Sequence, residues 1–322
     1  MNQLYNSVGY MGSTISSISV SLTDDLMIDR GISRLIKAVE TITSLAGLFT
    51  IIAVLFGFTV LSVFIPWTGI KVAVIIALGG SLPFRVSLLK PHGEEDGFRT
   101  WSDFSYYISK GQQLVQDTIS EQMKKVLNSG LRDPKLGILN AVRGGYFLDL
   151  HENQQFKMES MMTRMLKAKI ISKILRINNA YIIRRGDQCI YDGPRGARSG
   201  TNVLSYCDPQ GVLWDIVEAH GKHTVHKIYN GQLIANKYNF TTEEIVTTSW
   251  DCQSKYRQFE HEIFDENQLK NGTLDLTQDQ DWMKNIGDCS FNLPVCDCDI
   301  RARASTHKTT TQICRQVGSL PI

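Results

Sequence analysis

The sequence predicts an α+β protein: a mainly helical N-terminal domain containing a hydrophobic helical hairpin, then a β-rich, disulfide-stabilised C-terminal domain. Three observations carry this expectation. Thr41 to Ile70 is an uncharged run of thirty residues, longer than the roughly 20 that cross a bilayer's hydrocarbon. All seven cysteines lie after residue 188. Near Ala180, apolar residues at helical spacing give way to short β-rich runs broken by Gly, Asn and Asp. The implied division is 1–178 and 179–322.

In the first part, Ile15, Ile18, Leu22, Ile32, Leu35, Ile36 and Val39 recur at helical spacing over 13–40. The pattern is interrupted at "LTDDLMIDRG", where Thr23 or Asp24 is expected to cap a new start. The hairpin follows over 41–84. Its first limb ends near Ile65, because Pro66 disfavours helix at the residue before it. The second limb, Gly69 to Phe84, has 13 uncharged residues between Lys71 and Arg85, and Lys71 can snorkel to lengthen it. The turn "IPWTG" carries Trp67, an indole suited to a membrane interface. The residues expected to meet lipid are Leu45, Leu48, Phe49, Ile52, Leu55, Phe56, Val60, Phe64, Trp67, Val72, Val74, Ile76 and Leu78.

A polar linker, "PHGEEDG", leads to an amphipathic helix over 103–128 whose face carries Phe104, Ile108, Val115, Ile119 and Val126, with Gly130 as its stop. A further helix is expected over 155–177. Met158, Met161, Met162, Met165, Leu166, Ile170, Ile174 and Ile177 line one side of it, and Lys157, Arg164, Lys167, Lys169, Lys173 and Arg176 the other. Such a basic face can lie on an anionic bilayer, and equally can be the solvated side of a bundle helix. Residues 1–188 hold 21 Lys/Arg against 15 Asp/Glu, and 189–322 hold 13 against 17. The N-terminal part therefore suits an anionic surface. The net charge of +2 excludes nucleic-acid binding driven by overall charge.

The second part begins with "AYIIRRGDQCIYDG", read as a hairpin about Gly186-Asp187, and "KHTVHKIYNGQLIANKYNF", read as a hairpin about Asn230-Gly231. "EEIVTTSWDC" and the tail after Asn285 read as strands and loops. Cys189, Cys207, Cys252, Cys289, Cys296, Cys298 and Cys314 lack zinc-finger spacing, so disulfides in an oxidising compartment are expected. The odd number leaves one thiol free or intermolecular. Asn239-Phe240-Thr241 and Asn271-Gly272-Thr273 are N-glycosylation sequons. "MNQLYNSVGYMGSTISSISVSL" shows no basic region followed by an apolar core. Entry to the secretory route therefore rests on a signal peptide removed earlier, or on the run near residue 45 acting as a signal anchor. Arg184-Arg185 is a dibasic pair at the junction, where processing proteases cut.

No enzyme chemistry emerges. His220, His223 and His226 do not share one direction on a strand, so no metal is expected. Asp297-Cys298-Asp299 has a metal-binding D-x-D form with a cysteine inside it, and "GPRGARSG" lacks the Lys-Ser/Thr ending of a phosphate loop. No cofactor is implied. Arg185-Gly186-Asp187 spells the integrin-binding tripeptide, displayed if it sits at a hairpin tip.

An apolar hairpin flanked by amphipathic helices over roughly 13–177 resembles the organisation of α-helical pore-forming toxins such as the haemolysins and colicins. The likeness is one of architecture and rests on no sequence motif. It implies a secreted, membrane-active protein that inserts the hairpin into a target membrane. The lipid bilayer is then its partner, with a homo-oligomer in the membrane and a protein receptor for the C-terminal domain. The alternative is a type II membrane glycoprotein with a protein-binding extracellular domain. There Arg30, Arg34 and Lys37 ahead of the run hold the N-terminus in the cytoplasm. A third reading buries the hairpin in a larger helical core.

Overall fold

In a computed structural model of the chain, the residues described are 21–27, 152–256, 289–298 and 307–322, with isolated positions between 6 and 18 and between 113 and 130. The hairpin 41–84 lies outside them, as does Asn271. Two compact units divide the chain: Met1–Ser19, Leu35–Leu166 and Phe264–Gln280 form one, and Val20–Arg34, Lys167–Ile263 and Asp281–Ile322 the other. In the first unit, Gln113, Gln116, Asp117, Ser120, Lys124 and Asn128 are helical, and Gly130 leaves the helix at φ 82. A left-handed glycine there is a common helix terminator.

The second unit is a mixed sheet with helices and three disulfides. Helix α1, Glu152–Ile177, which belongs to this unit from Lys167 onward, leads into strand β1, Ala180–Gln188, through Asn179 at φ 58. Then come β2, Leu204–Cys207; β3, Val212–His220; β4, His223–Val225; and the short helix α2, Gln232–Asn236. Helix α3, Thr242–Tyr256, strand β5, Val295–Asp297, and helix α4, Thr310–Gln316, complete the unit. The strand order is β2-β3-β1-β5, with β4 added to β3. The ladders are antiparallel except β1–β5, where Ile182 lies beside Val295 in a parallel pair.

Central strand β3, "VLWDIVEAH", is buried from Leu213 to Ala219, as a strand covered on both faces must be. On one face Tyr181, Ile183, Val217 and Ala219 pack with Ile313, Cys314 and Leu320 around α4. On the other, Trp214 meets Trp250 of α3 edge-on at 5.9 Å. Helix α3 also steers β5 into the sheet. Gln253 Oε1 accepts from Val295 N at 3.0 Å, its Nε2 donates to Asn292 Oδ1 at 2.9 Å, and Ser249 Oγ accepts from Leu293 N at 3.1 Å. Two of those bonds satisfy the buried backbone N–H groups of Leu293 and Val295 at the edge of the sheet.

Four expectations fail here for identifiable reasons. The RGD segment is no hairpin tip: β1 runs straight through it. Between the pairs Arg184–Trp214 and Gln188–Val212 it bulges by two residues, with Arg185 at φ 58. Asn230-Gly231 does not turn a hairpin, because Gly231 is right-handed at φ −53 and begins α2. The hairpin turns instead at Gly221-Lys222, where His220 pairs with His223 and Gly221 takes φ 60. "EEIVTTSWDC" is helix α3, not a strand. Thr241 Oγ1 accepts from Glu244 N at 3.1 Å, and Glu243 and Glu244 suit a helix N-terminus. Its buried residues Ile245, Val246, Ser249, Cys252 and Gln253 are one helical face despite their β-branched neighbours. The tail, read as strands and loops, does supply strand β5 but also contains helix α4, opened by a reciprocal Thr309–Gln312 capping box. At the N-terminal end, Thr23 and Asp24 lie inside a helical segment, 21–26, and the new start expected after them lies outside the described residues.

Candidate functional site

The disulfides are Cys189–Cys207, Cys252–Cys289 and Cys296–Cys314, leaving Cys298 as a buried free thiol. Each closes a loop joining different elements: the end of β1 to β2, α3 to the segment before β5, and β5 to α4. With sequence separations of 18, 37 and 18, loop-closure entropy makes each worth about 3–4 kcal/mol. Such bonds persist in oxidising surroundings, which points to an extracellular or secretory setting for this domain.

Segment 21–27 is docked onto this domain. Leu22, Leu26 and Met27 are buried. Asn178 Nδ2 donates to Leu26 O at 2.9 Å and Asn230 Nδ2 to Asp25 O at 2.8 Å. Asp25 Oδ2 receives Lys237 Nζ at 2.6 Å and Tyr238 OH at 2.5 Å. Partial burial works to raise the Asp25 carboxyl, but these hydrogen bonds and the Lys237 charge outweigh it and hold it below its ordinary value. The Asp25 hydrogen bond raises Lys237 in turn, and burial followed by the Asp25 bond raises Tyr238. The arrangement is a latch that pins segment 21–27 to the domain.

A second constellation gathers at the β1 bulge. Arg198 Nε donates to Asp215 Oδ2 and its Nη2 to Asp187 Oδ2, both at 2.9 Å. The guanidinium lies 3.9 Å from the Tyr191 ring centroid. Burial works against the Arg198 charge, and Asp215 restores it and more, so its pKa is raised. Asp215 is 5% exposed, and His226 Nδ1 stands 3.7 Å from its Oδ2. Ser205, opposite Asp215 across β2–β3, accepts Arg198's backbone N–H at 3.0 Å. On the other face Arg184 lies over Trp214 and Trp250, 5.1 and 4.6 Å from their centroids, and joins Arg185 on Asp297. Cations held between aromatic rings and carboxylates form a rigid ionic end to the sheet.

These contacts occupy the groups that the sequence offered for recognition or metal binding. In the RGD tripeptide, Arg185 is bonded to Asp297, and Asp187 to Arg198 and Tyr191. Asp297 of the D-x-D form is spent on Arg184 and Arg185. His220 meets Glu218 at 3.1 Å and His226 meets Asp215. Among the described residues no cluster could hold a metal ion. "GPRGARSG" is a tight loop with a 3-10 turn at Pro194–Gly196. A side chain on Gly196, at φ 85, would lie 2.3 Å from Cys189 O, so the loop packs on the first disulfide.

On α1, Arg164 is exposed, Lys167, Lys173 and Arg176 are half-buried, and Lys169 is 7% exposed. Beyond Leu166 the helix is buried around most of its circumference, with Ile171 and Leu175 as enclosed as Ile170 and Ile174. A single continuous basic stripe is therefore not what this helix presents there. Lys157 side-chain placement lies outside the described residues, as do the thirteen lipid-facing candidates from Leu45 to Leu78. Among the described residues no helix is long and apolar enough to cross a membrane. The sequence reading passed over Asp25, Lys237, Arg198, Asp215 and the Trp214–Trp250 pair. The continuous apolar texture of β3 around Asp215 was the available signal, since a charge inside a buried strand demands a partner.

A family model described as Domain of unknown function (DUF7872) matches residues 90–322. The chain belongs to the DUF7872 family. The DUF7872 region contains every cysteine and the whole sheet, and it begins after the apolar run. The latch joins Asp25, upstream of that region, to Lys237 and Tyr238 within it. No curated protein and no solved structure matches the chain.

Proposed function

We propose that this protein engages a lipid bilayer through residues 41–84 while its disulfide-bonded domain occupies the oxidising side. One observation carries the reading: thirty consecutive uncharged residues stand in one chain with a domain closed by three disulfides. Leaving that length in water is unfavourable by about 25 cal/mol per Å² of apolar surface, and hydrocarbon relieves it. In the secreted form of this reading, the hairpin inserts into a target membrane while the disulfide-bonded domain stays outside it. Carboxyfluorescein release from anionic liposomes tests it. The wild-type chain releases dye, and Ile52→Asp and Val74→Asp each abolish release. Undiminished release by both variants rejects the hairpin as the inserting element.

A second reading, a permanent single-span anchor over Thr41 to Ile65, is favoured by the start of the family match at residue 90. An apolar segment outside the family's common region fits an appended anchor better than the working part of a cytolysin. Alkaline carbonate extraction of the producing cell separates the two. Retention in the membrane pellet supports the anchor, and soluble protein in the medium supports insertion. A protein bound through the exposed side of the cysteine-rich domain is the partner this second reading requires.

A further inference from the structure

We propose that Asn239 carries an N-linked oligosaccharide. The proposal rests on the secretory setting inferred above and adds a modification site to it. Asn239-Phe240-Thr241 spans the joint between α2 and α3, and local geometry separates its three side chains. Asn239 N donates to Ala235 O at 3.1 Å and Phe240 N to Ile234 O at 3.1 Å. With Asn239 at φ 58, these bonds close the chain just past α2 in a left-handed turn, after which Phe240 packs back onto the core. Phe240 accordingly is 1% exposed and meets Phe291 edge-on at 5.1 Å, while Asn239 and Thr241 are exposed. The acceptor amide and the hydroxyl that an oligosaccharyltransferase reads stand at the surface, on either side of a side chain anchored in the core. A branched sugar at this position extends into solvent without disturbing that packing.

The chemistry needs one co-reactant, an oligosaccharide carried on a lipid pyrophosphate. The Asn239 amide nitrogen bonds to the anomeric carbon and loses one proton. The carbon–oxygen bond to the pyrophosphate breaks, and the lipid pyrophosphate leaves with the electron pair. The compartment that supplies this donor is also one in which the three disulfides form.

Asparagine and threonine also have purely structural reasons to stand here. Asparagine tolerates the left-handed conformation, and Thr241 caps α3. The two roles separate by substitution. Asn239→Gly keeps the left-handed ending and removes the acceptor. Thr241→Asp keeps a competent cap and destroys the sequon, whereas Thr241→Ser keeps both. The full chain, made in a eukaryotic cell with Asn271→Gln to silence the other sequon, is digested with and without peptide-N-glycosidase, and the peptide containing residue 239 is read by mass spectrometry. We expect conversion of Asn239 to Asp after the glycosidase in the parent and in Thr241→Ser. We expect no conversion in Thr241→Asp, and no glycan on that peptide in Asn239→Gly. An unmodified Asn239 in parent protein whose three disulfides are formed overturns the proposal alone. An unmodified Asn239 with all seven thiols alkylatable overturns the secretory reading with it, and a glycan persisting in Thr241→Asp overturns the sequon assignment.

Discussion

Asp215 illustrates how a single residue sets local demands. It sits on the central strand at 5% exposure, so its charge must be met within the protein. Arg198 meets it from a loop otherwise held by the Cys189–Cys207 disulfide and Tyr191. Arg198→Ala should therefore lower unfolding free energy in urea by about 3 kcal/mol, since it strands a buried carboxylate. Arg198→Lys should recover part of this, because one ammonium cannot serve Asp215 and Asp187 with the same fork. A loss below about 0.5 kcal/mol, the range of an ordinary surface substitution, contradicts this account. Thr241→Ala should cost about 1 kcal/mol through the lost cap, and Thr241→Asp little. At this scale the sequence carried local signals that its reading as strands and loops overlooked: Thr241 three residues before Glu244, and Thr309 three before Gln312, both mark helix starts. It was illegible where partners are distant, as with Arg198 and Asp215.

Among the elements, α3 and the latch carry the clearest expectations. The Cys252–Cys289 disulfide ties α3 to the segment that becomes β5. Cys252→Ser with Cys289→Ser should lower stability by about 3–4 kcal/mol, while Cys298→Ala should leave three disulfides by non-reducing mass spectrometry. Finding two disulfides in Cys298→Ala instead would refute this pairing. For the latch, the sign follows from the carboxyl being lowered in the folded state. Asp25 stabilises docking fully above the ordinary carboxylate range, and this is lost as pH falls through its depressed folded value. The raised Lys237 and Tyr238 place the opposite limit on the alkaline side, as pH rises past their folded values. The stability difference between wild type and Asp25→Asn should be flat near neutrality and vanish in acid. A difference that grows on acidification would rule out the ion pair as the latch's source of stability. The β-branched residues of α3 mislead a local reading because packing on Trp214 and grip on β5 outweigh intrinsic strand preference.

For the molecule as a whole, three disulfides and a doubly covered sheet tie the cysteine-rich domain together, and Asp25 docks segment 21–27 onto it. The proposed membrane engagement through 41–84 belongs to this scale. Replacing Ile52 or Val74 by Asp should abolish dye release; if Thr41–Ile65 is instead an anchor, Ile52→Asp should weaken retention in carbonate-washed membranes and Val74→Asp should not. At the bilayer centre a single Asp costs about 2.5–3.5 kcal/mol.

Composition and order alone determined that the chain has an uncharged run long enough to cross a bilayer, a cysteine-bearing region confined to the part after residue 188 with one thiol left over, and helix over 155–177. These follow from counts and short-range periodicity, which need no knowledge of distant partners. Tertiary structure decided the pairing of cysteines, the passage of β1 through the RGD segment, the helical state of "EEIVTTSWDC", and the docking of Asp25 on Lys237 and Tyr238. Each of these depends on groups far apart in the chain, from 18 residues for Cys189–Cys207 to 213 for Asp25 and Tyr238, or on packing that outweighs local preference. Such choices are made by burial and charge compensation in the assembled core rather than by any window of sequence.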